Sequence, residues 1–190
     1  MNTINQEHVN PTVLAQQEQH QQHLDQEVIE LRAENCIKNH VIAAMGVGLI
    51  PSGLVDVIGI TVIEVKLIRD LAVIYKFPVP NRLVAYKIFI SLVGSLGVVY
   101  FSSRMHSAFK GVPLVGHAVY VGLLSATGGA AVYAVGKIFQ EHYRSDGSFL
   151  SKDNKYIRDY FKEKYQEGKG AVTNYAKEAQ QKIVHPVATH

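Results

Sequence analysis

The longest stretch without a charged side chain, residues 111–136, constrains the fold more than any other feature of the sequence. These 26 residues contain no Asp, Glu, Lys or Arg. As an α-helix they would reach about 39 Å, whereas the hydrocarbon core of a bilayer is about 30 Å thick. A helix that is apolar on all sides is either buried in a protein core or exposed to lipid. The charge-free run therefore predicts a helix of one of these two kinds.

Small residues recur at every fourth position of this run. The row consists of Gly122, Ala126, Ala130 and Ala134. Such rows let helix backbones approach closely and are favoured in membranes, where lipid gives no hydrophobic drive for helix packing. A tight crossing in a water-soluble bundle uses the same device. We favour the membrane setting, because the row coincides with the charge-free run.

A second apolar segment, residues 88–103, precedes this run and has 16 positions without a formal charge. It would reach only about 24 Å as a helix, which makes it a marginal spanning segment. Together the two segments predict a hydrophobic hairpin. Basic residues are denser at its outer ends than in the short turn over 104–110, so the hairpin is predicted to have both chain termini in the cytoplasm. A shallow hairpin that does not span the bilayer fits the same pattern.

Amphipathic helices are predicted on both sides of this hairpin. Apolar residues recur at three- and four-residue spacing from Leu24, and a second helix is predicted from Gly53 to Tyr75. A C-terminal helix with an aromatic stripe is predicted to begin near Ser151 and to rest either on lipid headgroups or on its own bundle. The predicted fold class is all-α: a helical bundle with a central Gly/Ala-rich hydrophobic hairpin and flanking amphipathic helices.

The net charge of +3 conceals three different parts of the chain. Residues 1–36 carry a net charge of −5, residues 37–136 carry +5, and the rest carries +3. The Gln- and His-rich residues 1–23 are predicted to be a disordered polar tail, because they offer too little apolar surface to bury. A helical membrane-associated domain is predicted over 24–167, and a hinge with a polar C-terminal helix over 168–190. Over the whole chain, 19 basic residues nearly balance 16 acidic residues, which argues against a nucleic-acid partner.

No group of residues in the sequence predicts catalysis. Cys36 and His40 stand four residues apart, as a nucleophile and its base would on a helix, but the sequence offers no third orienting group. A single cysteine excludes a disulfide framework and a multi-cysteine metal site. His20 and His23 are interpreted as solvated residues of the tail. We therefore predict no catalytic, cofactor-binding or metal-binding site.

Residues 49–56, with the sequence LIPSGLVD, carry a resemblance to a known family, together with Glu64 and the LAVIY run at 71–75. In this pattern an Ile-Pro turn precedes an Asp that opens a helix, and the helix ends on the Leu-Ala…Tyr run. The chain resembles the bacterial domain-of-unknown-function family 697, which includes YcjF-like inner-membrane proteins and the tails of some Era-like GTPases. The resemblance covers roughly residues 35–165. Glu64 and Lys76 depart from it, because the family often has an amide and a glycine at these positions.

The resemblance implies a location and a class of partner. If the chain is bacterial, it implies the inner membrane. It also raises a GTPase as a partner, which a separate chain must supply, because no Gly-x-x-x-x-Gly-Lys-Ser/Thr loop is present.

Four polar or helix-breaking residues near this pattern are candidate structural or interaction residues. Pro51 and Gly53 are predicted to break the chain between two helices. The Asp56 carboxylate is predicted to accept backbone N–H bonds in the first turn of the second helix, where the helix dipole favours it. A polar contact or proton site in a low-dielectric bundle is the alternative. Glu64 is predicted to pair with a base such as Lys38 or Arg104.

The sequence as a whole predicts a non-enzymatic, membrane-associated helical protein that acts as an anchor or as a regulatory interaction module. Its expected partners are a lipid membrane and either further copies of the chain or another protein. Two alternatives stay open: a pore-forming or membrane-remodelling protein with a sheathed hairpin, and a soluble oligomeric bundle with the glycine–alanine row as its interface.

Overall fold

The computed structural model describes residues 11–47, 53–83, 85, 87 and 116–184, and these residues fold into an all-α bundle. Its helices are α1 (Pro11–Val47), α2 (Gly53–Ile74), α3 (Gly116–Arg144) and α4 (Asn154–Val184), with a 3-10 turn at Phe149–Ser151 between α3 and α4. Helix α3 packs against α1, α2 and α4, and α1 also packs against α2. The predicted all-α class is confirmed.

Helix α1 begins at Pro11, well before the Leu24 at which the apolar periodicity starts. Proline fits the first turn of a helix, where its missing N–H leaves no bond unmade. The side chains of residues 14–28 are all exposed, so this part of α1 buries none of its apolar residues, which include Leu24 and Val28. The buried face begins at Ala33 and continues through Ile37, Val41 and Ala44. The division of the chain into domains stays a prediction.

Helix α3 is the central helix of the bundle. None of residues 125–136 is exposed: eight of them are buried and four are half-buried. This stretch of the helix therefore has no exposed side on which charged side chains would be favoured. The charge-free sequence between 125 and 136 is thus explained by burial inside this chain.

The predicted hairpin lies partly beyond the described part of the chain. Its first arm, residues 88–103, and its turn over 104–110 fall outside the described residues. Among the helices that the structure does describe, none is long and apolar enough to cross a membrane.

Lys76 lies two residues beyond the end of α2, in the left-handed backbone region, with φ of 54°. The Phe77 N–H donates to the Ala72 carbonyl at 2.8 Å, and the Lys76 N–H donates to the Val73 carbonyl at 3.1 Å. This pattern is the Schellman motif, whose left-handed residue is usually glycine because a Cβ is strained there. The family that the sequence resembles often has glycine at this position, and the left-handed backbone is a physical reason to favour glycine there.

We expect Lys76→Gly to raise the free energy of unfolding by about 0.5–1 kcal/mol, because it relieves the strain of a side chain in the left-handed region. Urea unfolding followed by circular dichroism measures the change. Lys177→Gly is the control, since Lys177 is exposed inside α4 and glycine there should cost about 0.5–1 kcal/mol. A loss of stability in both variants would contradict the argument.

Helix α4 runs without a break through residues 168–170, where the sequence places a hinge. Its first turn is capped by Asp153 rather than Ser151, because Asp153 Oδ2 accepts the Lys155 N–H at 3.0 Å. Ile157, Tyr165 and Val172 are buried. The aromatic stripe therefore packs on its own bundle, which was one of the two alternatives for this helix.

Candidate functional site

The small residues of α3 are used for close packing within the chain. Ala130 and Ala134 lie in a buried cluster with Tyr165 of α4. At Gly168 of α4, an added Cβ would lie only 2.9 Å from the Ala130 carbonyl oxygen, so the two backbones nearly touch. Ala126 is half-buried against the main core. Gly122 lies in α3, but its surroundings fall outside the described side chains.

The neighbouring row of α3 faces α1. The Ser125 hydroxyl donates to the Met45 carbonyl at 2.8 Å. An added Cβ at Gly129 would lie 2.9 Å from the Met45 side chain and 2.8 Å from Val172 of α4. The two rows of small residues thus set how closely α1 and α4 approach the central helix.

The predicted turn before α2 is described only in part. Pro51 lies outside the described residues. Helix α2 begins at Gly53, so Asp56 stands in its first turn, where the sequence places it. The side chain of Asp56 is outside the description, and its role as a cap or a proton site stays a prediction.

Glu64 is a buried carboxyl group on the inner side of α2, with 3% of its surface exposed. Burial raises its pKa to about 8, because the low-dielectric interior disfavours the charged form. No hydrogen bond or ion pair joins it to another described residue. Of its predicted partners, Lys38 pairs with Glu178 of α4 instead, and Arg104 lies outside the described residues.

A polar network joins α1 to α3, and the sequence does not predict it. The side chain of Gln140 is 6% exposed, and its Nε2 donates to Glu30 Oε2 and Glu34 Oε1 at 2.9 Å each. Lys137 pairs with the same Glu34. The partners are more than one hundred positions apart along the chain, so no local spacing could have revealed them.

Asp70 of α2 meets Cys36 and His40 of α1. His40 Nδ1 donates to the Cys36 carbonyl at 2.8 Å, and His40 Nε2 lies 3.4 Å from Asp70 Oδ2. The Cys36 Sγ lies 3.7 Å from Nδ1. Burial, with the Asp70 charge, raises the pKa of the Cys36 thiol to about 11. A protonated thiol is a poor nucleophile. The presence of Asp70 beside Cys36 and His40 therefore does not make this cluster a catalytic triad.

Helix α2 also turns an apolar and basic surface outward, which we call the α2 outer face. Ile58, Val62 and Val73 are 57%, 62% and 62% exposed. At 100° per residue, Lys66 and Arg69 fall among them within a sector of about 80°. Exposed bases continue this surface along the chain: Lys76, Arg82 and Lys87. Two acidic residues lie between positions 58 and 87: Glu64, which is buried, and Asp70, which is partly exposed.

Comparison with known proteins gives a family and a named relative. A sequence model described as "Domain of unknown function (DUF697)" matches residues 14–170. The chain is similar to "Magnetosome membrane protein 22" of Magnetospirillum gryphiswaldense, with 32% identity over 143 residues, which cover 74% of this chain and 72% of that protein. No solved structure matches.

Proposed function

The chain belongs to the DUF697 family, and on that premise we propose that it is a non-enzymatic, membrane-associated module that anchors or regulates a protein partner. The observation that carries the proposal is the α2 outer face. Ile58, Val62 and Val73 each expose more than half of their surface to water there. At a bilayer interface these side chains would leave water while neighbouring bases meet anionic headgroups. The relative's description as a membrane protein supports the same setting.

The protein partner in this proposal is a separate GTPase, which the family resemblance raises. The bundle would hold that partner at the membrane rather than carry out chemistry of its own. The family resemblance is the support for this partner, and the GTPase would be a separate chain because this sequence has no phosphate-binding loop.

We expect the double variant Val62→Ser/Val73→Ser to bind phosphatidylglycerol-containing vesicles on the order of a hundredfold more weakly than the original chain, because burying each valine contributes about 1.5 kcal/mol and about 1.4 kcal/mol corresponds to tenfold in affinity. Vesicle co-sedimentation measures the binding. Salt should weaken it further, since the attraction between bases and headgroups is screened. Neutral phosphatidylcholine vesicles should bind less in every case.

The matched control is Val28→Ser/Leu31→Ser on α1. These two residues are 45% and 57% exposed, but they lie in the acidic part of the chain. The control variant should bind vesicles as the original chain does. Equal losses in both double variants, or no binding to either vesicle, would contradict the use of the α2 outer face.

Anchoring by the predicted hairpin is a separate part of the proposal and has its own test. It requires residues 125–136 of α3, which the bundle encloses, to leave their neighbours and enter the bilayer. A hairpin inserted in the bilayer should keep the protein in carbonate-washed membranes until detergent is added. Intact protein in the carbonate supernatant would overturn the inserted hairpin and leave surface binding. Dye release from vesicles by the purified protein would instead support the pore-forming alternative.

A further inference from the structure

Cys36, His40 and Asp70 converge on one point between α1 and α2. Cys36 and His40 lie four residues apart, so they share one face of α1, and Asp70 reaches the same point from α2. One ligand atom from each side chain lies within 4.8 Å of the others. A pair of ligands one turn apart with a carboxylate from a facing helix is a common way to build metal sites in helical bundles.

The hydrogen bonding of His40 leaves one nitrogen free to bind a cation. Because Nδ1 donates to the Cys36 carbonyl at 2.8 Å, the lone pair of a neutral ring lies on Nε2. That nitrogen faces Asp70 Oδ2 at 3.4 Å. Two acceptors at this distance repel each other unless a positive charge lies between them. Metal-binding histidines commonly donate their second N–H to a carbonyl in this way.

The spacing fits a small tetrahedral ion. Nitrogen and oxygen ligands about 2.0–2.1 Å from such an ion stand about 3.3 Å apart, close to the 3.4 Å between His40 Nε2 and Asp70 Oδ2. The Cys36 sulfur, which lies within 4.8 Å of a ring nitrogen of His40 and a carboxylate oxygen of Asp70, is the third ligand. Asp70 is 37% exposed, so an ion and a water molecule for the fourth position can enter from solvent.

We propose that Cys36, His40 and Asp70 bind a divalent transition-metal ion, with Zn²⁺ the best match, and that the ion joins α1 to α2. One sulfur, one nitrogen and one oxygen form a ligand set of intermediate softness, which suits Zn²⁺ better than Mg²⁺ or Ca²⁺. The competing cation is Lys66, whose ammonium pairs with the same Asp70 oxygen. The competing explanation for the 3.4 Å between His40 Nε2 and Asp70 Oδ2 is a simple ion pair between the two side chains.

Co²⁺ and Zn²⁺ titrations of the full chain test the proposal. Every protein in the series carries His20→Gln and His23→Gln, so that this exposed histidine pair cannot bind the ion. Co²⁺ should bind one to one, with the visible bands of a tetrahedral ion and a thiolate-to-cobalt charge-transfer band in the near ultraviolet. Cys36→Ser should abolish the charge-transfer band. His40→Gln and Asp70→Asn should each weaken Zn²⁺ binding by at least about tenfold, because each removes a direct ligand and even the loss of a group that only orients a ligand costs about that much.

Lys66→Gln is the sharpest variant, because it removes the competing cation and leaves the ligands. It should tighten Zn²⁺ binding several-fold, and Zn²⁺ should raise its Tm more than that of the parent. Lys177→Gln, on the exposed surface of α4, should leave both quantities unchanged. Circular dichroism establishes that each variant is folded.

Three results would overturn the site. These are no charge-transfer band in the parent, unchanged Zn²⁺ affinity in both His40→Gln and Asp70→Asn, or weaker binding in Lys66→Gln. The first would leave His40 and Asp70 as an ion pair.

Discussion

Replacing Glu64 with glutamine should raise the free energy of unfolding by up to about 5 kcal/mol above pH 8 and by almost nothing below pH 4.5. Glutamine has nearly the shape of the protonated acid and no charge to lose. Above pH 4.5 the carboxyl group ionises in the unfolded chain, whereas burial keeps it protonated in the folded chain up to about pH 8. Glutamine cannot ionise in either state, so the variant loses this stabilisation of the unfolded chain.

The sign follows from where the proton is held. The pKa of Glu64 is about 8 in the folded chain and about 4.5 when exposed. Below 4.5 the group is protonated in both states and favours neither. Between 4.5 and 8 the unfolded chain releases the proton while the folded chain keeps it, so ionisation draws the equilibrium towards the unfolded state. Stability falls through this window as pH rises and levels off above it.

Urea unfolding of the original chain and of Glu64→Gln across this pH range measures the effect. The difference between the two proteins isolates Glu64 from other groups, such as His142, whose pKa burial lowers. That histidine contributes stability that is lost as pH falls, which is the opposite direction. Glu64→Asp is the control that keeps the acid, and it should retain the pH dependence. Parallel curves for the original chain and Glu64→Gln would contradict the buried acid.

Gly168→Ala should lower the free energy of unfolding by about 1–3 kcal/mol, the usual cost of adding a methyl group to a packed core. The new Cβ would lie 2.9 Å from the Ala130 carbonyl oxygen and 3.1 Å from its Cα. These are backbone atoms, so relief requires that α3 and α4 move apart. The buried contact of Ala130 and Ala134 with α4 would loosen along with them.

Gly170→Ala is the matched control two residues along the same helix. Nothing lies within 4 Å of a Cβ built at Gly170, and alanine favours helix over glycine by about 0.8–1 kcal/mol. Urea unfolding should therefore show opposite signs for the two substitutions. A stabilised Gly168→Ala would show that α3 and α4 are not in backbone contact.

The local pattern predicted where α2 begins, but not where α1 begins or what the helices face. The start of α2 at Gly53 and the position of Asp56 in its first turn follow from the Pro/Gly break, a signal within a few residues. The predicted end at Tyr75 is within one residue of the observed end at Ile74. Glycines 168 and 170 look alike in the sequence, and both suggest a hinge. In the bundle Gly168 faces the Ala130 backbone, whereas Gly170 faces solvent.

The candidate sites were only partly accessible to prediction for the same reason. Cys36 and His40 are recognisable as a pair because they are four residues apart. Asp70 joins them only when α2 packs against α1. Likewise, the burial of Glu64 depends on contacts between helices. Lys38, a base suggested as its partner, pairs instead with Glu178, which is 140 positions away along the chain.

By itself, the sequence determined an all-α chain, the break before α2 and a central segment that cannot face water. Helix periodicity and helix breaking act over a few residues and can be read along the chain. Only the tertiary structure decided that residues 125–136 are enclosed by α1, α2 and α4. A helix without a polar face has the same pattern whether protein or lipid surrounds it, so only its neighbours distinguish the two.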